Sequence, residues 1–266
     1  MAAIATISGR NNVREVVRLT LPKEHGSWSL ALEPLALGIL VAPSAAGGVL
    51  LLTAFAAFLL RRPLKIVLAG KPDPRFWRAF AIAIALSLLA IAGLLATMTM
   101  GGIRNLWPLI PAAIAGLGFA WFDSRNESRQ EAAELCGATA FGALPATFGT
   151  LAGWPVAESF ALAAVMLVRS VSTVLFVRTY LRRKKGYATN RAPAFVVVGL
   201  GFFITAFLVF SHLAPWPVMA FAFLLAAGTF WVLRGNHQFS ARKIGFAEMI
   251  FGLLMIFTLA LTWKAF

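Results

Sequence analysis

Residues 158–185 read ESFALAAVMLVRSVSTVLFVRTYLRRKK. Between Ser159 and Val177 the only charge is Arg169, and the run then closes on Arg178, Arg182, Arg183, Lys184 and Lys185. About 20 apolar residues in a helix cover the ~30 Å of bilayer hydrocarbon. The stretch therefore predicts a membrane-spanning helix whose basic end stays in water.

Working outward, the same pattern recurs. Apolar stretches predict nine spans, at 27–44, 47–60, 76–98, 103–122, 133–153, 158–177, 192–213, 216–233 and 244–263, with the second continuing through Arg61 to Leu64 as its arginines snorkel. The composition agrees: 60% of residues are hydrophobic, and the mean hydropathy is +0.81, well above a soluble domain.

The loops between these stretches alternate in charge. Of the 24 Lys and Arg residues, nearly all fall on one side: Arg10, Arg14, Arg18 and Lys23 in the N-terminal arm, six between the second and third spans, Arg125 and Arg129 after the fourth, six after the sixth, and Arg234, Arg242 and Lys243 before the ninth. The other side holds only Arg104 and Lys264. Because cytoplasmic loops are the positive ones, the N-terminus is expected in the cytoplasm and the C-terminus outside it, in a bacterial inner membrane. An even number of spans would break the alternation.

The net charge of +14 and pI near 11.4 sit where topology requires them, so nucleic acid is not an expected partner. The single cysteine, Cys136, excludes an intrachain disulfide and a zinc cluster. Residues 1–24 are expected to form a cytoplasmic amphipathic arm, with Asn12 and Glu15 at capping-box spacing and Val13, Val16, Val17 and Leu21 on one face. Residues 25–266 are expected to form one transmembrane helical domain, since no extramembrane segment is long enough to fold separately.

Ionisable side chains at membrane depth cost about 2.5–3.5 kcal/mol each on insertion scales, and so face a bundle's interior. Glu33 lies roughly 15 Å into the first span and Arg169 roughly 14 Å from the same surface, so the two are expected to meet near the midplane. The sixth span carries a polar stripe of Arg169, Ser172, Thr173, Phe176, Thr179, Tyr180 and Arg183, and the first a matching series of His25, Ser29 and Glu33, followed by Pro34. Such stripes line water, ligand or other polar groups. The fifth span, with Gly137, Gly142, Gly149, Gly153 and a kink at Pro145, reads as a close-packing helix. Glu134 and Glu248 lie near the inner boundary, where either could answer the basic loops or bind a cation, and they are expected as solvated carboxylates.

Residues 21–28 (LPKEHGSW), at the entry to the first span, resemble the signature of the YwiC-like family of bacterial membrane proteins, with Ser27 where that family more often has Ala. Residues 61–65 (RRPLK), 128–134 (SRQEAAE), 177–186 (VRTYLRRKKG) and 243–248 (KIGFAE) extend the resemblance over nearly the whole chain. It implies architecture more than activity. More distantly, residues 134–145 (ELCGATAFGALP) are similar to the fifth helix of UbiA-type intramembrane prenyltransferases. That resemblance implies nine helices, an N-terminus inside, and a prenyl diphosphate held through magnesium by Asp-rich motifs after the second and sixth helices.

At those two places this chain has Arg61, Arg62 and Lys65, and then Arg178, Arg182, Arg183, Lys184 and Lys185. No magnesium site transfers by position, and no cofactor is expected. Arg61, Arg62, Lys65, Arg169, Ser172, Thr173, Arg178 and Arg182 are instead expected to bind an anionic amphiphile, a prenyl phosphate or a lipid, directly through the arginines. Three readings stay open. The first is a binder without chemistry. The second is a divergent UbiA-type transferase on a prenyl or lipid substrate, with His25 and Glu33 as catalytic candidates. The third is a transporter with a Glu33/Arg169 midplane site. No protein partner is indicated.

Overall fold

The computed structural model describes residues 16–21, 25–69, 74–235 and 237–263. Most of the N-terminal arm lies outside them, as do Asp73 and Lys264; residues 16–20 are helical. Beyond them, the described residues form ten α-helices and one short 3-10 turn, with no strand. The helices are α1 (His25–Val41), α2 (Ala45–Leu68), α3 (Pro74–Gly101), α4 (Leu109–Ser124), α5 (Glu131–Gly142), α6 (Leu144–Leu151), α7 (Val156–Lys184), α8 (Ala192–Phe210), α9 (Pro217–Arg234) and α10 (Ala241–Thr262).

Six of these, α2, α3, α7, α8, α9 and α10, are long and apolar enough to cross a membrane, and α1 and α4 are shorter apolar helices. The chain is thus a multi-pass membrane protein by helix length and composition. A helix occupies each expected stretch, but the fifth is broken in two. Pro145 has no N–H to give Phe141, and its ring crowds that carbonyl, so the helix stops at Gly142 and restarts with Pro145 in its first turn, where the missing donor is harmless.

Local sequence explains the other boundaries. The Ser44 hydroxyl accepts from the Gly47 N–H at 3.0 Å and starts α2, and Ser240 does the same for Lys243 at 3.2 Å in α10. Gly153, expected inside a packing helix, instead lies in the α6–α7 turn with φ of 82°, a conformation open to glycine and strained for residues with a Cβ.

Helix α7 is the axis of the bundle. It is buried along most of its length and is packed by α5, α6, α8, α9 and α10. Helix α3 rests mainly on α2 and leaves Leu88, Leu89, Ile91 and Leu95 exposed, as a lipid-facing helix should. One apolar core joins α1, α7 and α10 through Leu37, Leu162, Met166, Ile256 and Leu259. A second gathers Leu35, Leu50 and Leu144 around Phe148.

Helices α6 and α7 touch through a glycine. A Cβ on Gly149 would stand 2.6 Å from Ser159 Oγ and 3.0 Å from its Cα, so backbone as well as side chain would have to retreat. Gly149→Val should therefore destabilise the bundle by about 1–3 kcal/mol. The check is thermal unfolding of the detergent-purified protein; an unchanged midpoint would mean that this contact is slack.

Candidate functional site

Arg169 sits midway along α7 and is 3% exposed. Three helices converge on it. Its Nη1 lies 2.6 Å from Glu248 Oε2 of α10, its Nη2 donates to the Glu248 backbone carbonyl at 2.8 Å, and its Nε faces Glu33 Oε2 of α1 at 3.6 Å. The Thr173 hydroxyl accepts from Nη1 and donates to Glu248 Oε2 at 3.1 Å, and the Ser29 hydroxyl donates to Glu33 Oε1. The guanidinium also lies over the Phe251 ring, 5.1 Å from its centroid. A single cation is thus shared by two carboxylates inside the bundle.

The packing leaves room for this. A Cβ at position 252 would collide with the Glu33 carboxylate, so α10 approaches α1 at this level only because residue 252 is glycine. Ser172, one turn from Arg169, is buried, and its hydroxyl has no partner among the described residues.

Towards its C-terminal end, α7 carries a second polar region. Arg178 pairs with Glu134 at 2.9 Å and Glu131 at 3.3 Å, both from α5. Arg183 and Arg191 both donate to the Leu233 carbonyl, at 2.5 and 2.8 Å, and Lys184 donates to the Phe239 carbonyl at 2.5 Å. The Tyr180 hydroxyl lies 3.1 and 3.0 Å from the His237 and Phe239 carbonyls, its two alternative acceptors. Much of this basic segment therefore satisfies the unpaired carbonyls at the end of α9 and just beyond it.

Arg182 is different, its guanidinium having no hydrogen bond or ion pair with the other described residues. It lines a cleft of about 190 Å³ with Arg178, Thr179, Thr189, Asn190 and Glu131, whose apolar wall is Leu175, Ala188 and Pro193. The buried Thr179 side chain lines the same cleft.

The third basic group lies elsewhere. On α2, Arg61 and Lys65 meet Asp123 of α4 at 3.2 and 3.0 Å, and Arg61 also lies over Phe119. Two cations hold the Asp123 carboxyl below the usual carboxylate range, outweighing the desolvation that pushes it up. Arg62 donates to the Leu21 carbonyl, at the edge of the LPKEHGSW segment that leads into α1. Residues 21–147 match the YwiC-like protein family.

The match bears out the resemblance read from residues 21–28, 61–65 and 128–134. The YwiC-like segment runs from the entry to α1 into α6, and contributes Glu33, Arg61, Lys65, Asp123, Glu131 and Glu134. Arg169, Arg178, Arg182 and Glu248 lie beyond it. No curated protein and no solved structure matches the chain.

Set against the sequence, the structure joins Glu33, Arg169 and Thr173 in one cluster, and Arg178 with Arg182 in one cleft. It does not bring Arg61, Arg62 or Lys65 into that cleft. His25 opens α1, and its side chain lies outside the described residues. Two carboxylates need correction. Glu248 is not a solvated boundary residue, because α10 begins at Ala241 rather than at residue 244 and carries Glu248 two turns into the bundle, onto Arg169. Glu134 is not simply solvated either, since it binds Arg178. The missed signal for Glu248 is Ser240, a capping residue that marks the earlier start. Asp123 lies just past the fourth expected span, and nothing local in the sequence ties it to residues 61 and 65.

Proposed function

We propose that this is a nine-span protein of a bacterial inner membrane, UbiA-like in arrangement and with its N-terminus in the cytoplasm, that binds an anionic amphiphile, a prenyl phosphate or lipid, with the head group in the Arg178/Arg182 cleft. The observation that carries the reading is Arg182. Neighbouring Arg183, Lys184 and Arg191 are committed to backbone carbonyls, whereas the Arg182 guanidinium, with no partner among the described residues, lines a cleft beside Thr179. A phosphate oxygen accepts from both groups, and the Leu175, Ala188 and Pro193 wall suits the start of an apolar chain.

Magnesium-bridged binding of the UbiA type does not fit these residues. Arg61 and Lys65 occupy the first expected place and hold Asp123, α7 ends in cations, and no group of three metal-binding side chains exists among the described residues. The reading is therefore of binding through arginine.

Native mass spectrometry of the detergent-purified protein, with lipid extraction and identification, tests it. Arg182→Ala should lose a retained anionic amphiphile about tenfold or more, while Lys65→Ala keeps it. Bulk lipid carried equally by both variants and the wild type would overturn the reading. Arg178 is a poorer probe, because its loss also removes an ion-pair partner from Glu131 and Glu134.

A further inference from the structure

Charge balance at the centre of the bundle leads to a second ligand, independent of the cleft. Arg169 is one cation facing two carboxylates. Glu248 takes the larger share, with a 2.6 Å contact to Nη1, a backbone contact to Nη2 at 2.8 Å and the Thr173 hydroxyl at 3.1 Å. Glu33 receives only Nε at 3.6 Å, beyond hydrogen-bonding distance, and the Ser29 hydroxyl.

With both carboxylates ionised the cluster carries one uncompensated negative charge, at the middle of a bundle of apolar helices. A buried group in that position neutralises rather than stay charged. Among the described residues the charged groups that act on Glu33 are Arg169 from α7 and Glu248 from α10, so none of them adds a second cation.

We propose that Glu33 binds an exchangeable proton, making the Glu33–Arg169–Glu248 cluster a proton site inside the bundle. The proton adds to a Glu33 carboxylate oxygen and leaves Arg169 paired with Glu248. Ser29 suits either state, since its hydroxyl donates to the carboxylate and accepts from the acid. A metal ion is a worse occupant. It would need several more oxygen ligands than Glu33 and Ser29 offer, next to a guanidinium that repels it.

The test is pH-difference infrared spectroscopy of the full chain in liposomes, which reads the C=O stretch of protonated carboxyls. The wild type should show such a band at neutral pH, fading as pH rises. Glu33→Gln should lose it. Glu248→Gln should lose it too, because Arg169 then has one carboxylate left and Glu33 ionises. Ser29→Ala, a mild change that keeps every charge, should shift the band, and Thr173→Val should not. The inference is overturned by a wild type without the band, by a band that survives Glu33→Gln, or by one that moves with Thr173→Val and not with Ser29→Ala, which would put the proton on Glu248. A band that vanishes on adding sodium would assign the site to a metal cation instead. None of these outcomes depends on Arg182 or on a retained lipid.

Discussion

Arg169→Leu should destabilise the bundle by about 3–5 kcal/mol, as expected when one partner of a buried ionic group is removed. The side chain is 3% exposed, and its loss leaves Glu248 without a cation, Thr173 without its donor and the Glu248 backbone carbonyl without Nη2. The leucine fills part of the volume but answers none of these groups. Replacing both carboxylates as well, in Arg169→Leu/Glu33→Gln/Glu248→Gln, removes the stranded charge and should recover a substantial part of the loss. Thermal unfolding in detergent, followed by the fraction still monodisperse, measures both variants. An Arg169→Leu protein as stable as the wild type would mean that the cluster contributes nothing to holding α1, α7 and α10 together.

Phe148→Ala should cost about 3 kcal/mol, near the low end for a phenylalanine core. The ring is fully buried in α6, and two glycines make space for it: Gly38 of α1, whose added Cβ would overlap the ring, and Gly47 of α2, whose Cβ would stand 3.2 Å from it. Neither glycine has a side chain that can relax into the hole. The transfer part of the usual penalty shrinks in a bilayer, where the displaced surroundings are themselves apolar, so the expected loss is mostly lost packing contact. Phe148→Leu should cost clearly less. Equal midpoints for the wild type and Phe148→Ala would sink the idea that α6 locks α1 to α2 through this ring.

Much of the frame was legible because membrane helices write long apolar runs, and because Glu33 and Arg169 are lone charges inside two of them. Their depths, counted from the flanking basic residues, were enough to bring them together. Glu248 was not legible from the apolar run, since the first turn of α10 is Ala241, Arg242, Lys243 and Ile244, and only the cap at Ser240 separates helix from loop there. The fifth span showed its kink at Pro145 but not its consequence, two short helices in place of one span. The cleft was half legible. Arg178 and Arg182 were visible as a cationic patch, but which cations stay free depends on carbonyls at the end of α9, some 50 residues away. Asp123 and its two cations show the same limit, since side chains joined across helices leave no periodic mark on either one.

The chain is made from its N-terminus, and that order matters for the central charges. Glu33 enters the bilayer in the first helix, long before a counter-charge exists. Arg169 arrives in α7 and converts that lone carboxylate into a neutral pair. Glu248 comes only with the last helix, so a half-made bundle ending after α9 is electrically balanced at its centre, and the finished one keeps that balance only when Glu33 takes up its proton. The last insertion step thus carries a carboxylate to a cation already engaged. The contacts it wins, with Arg169 and Thr173 and through Gly252, fit a closing step that displaces an earlier partner.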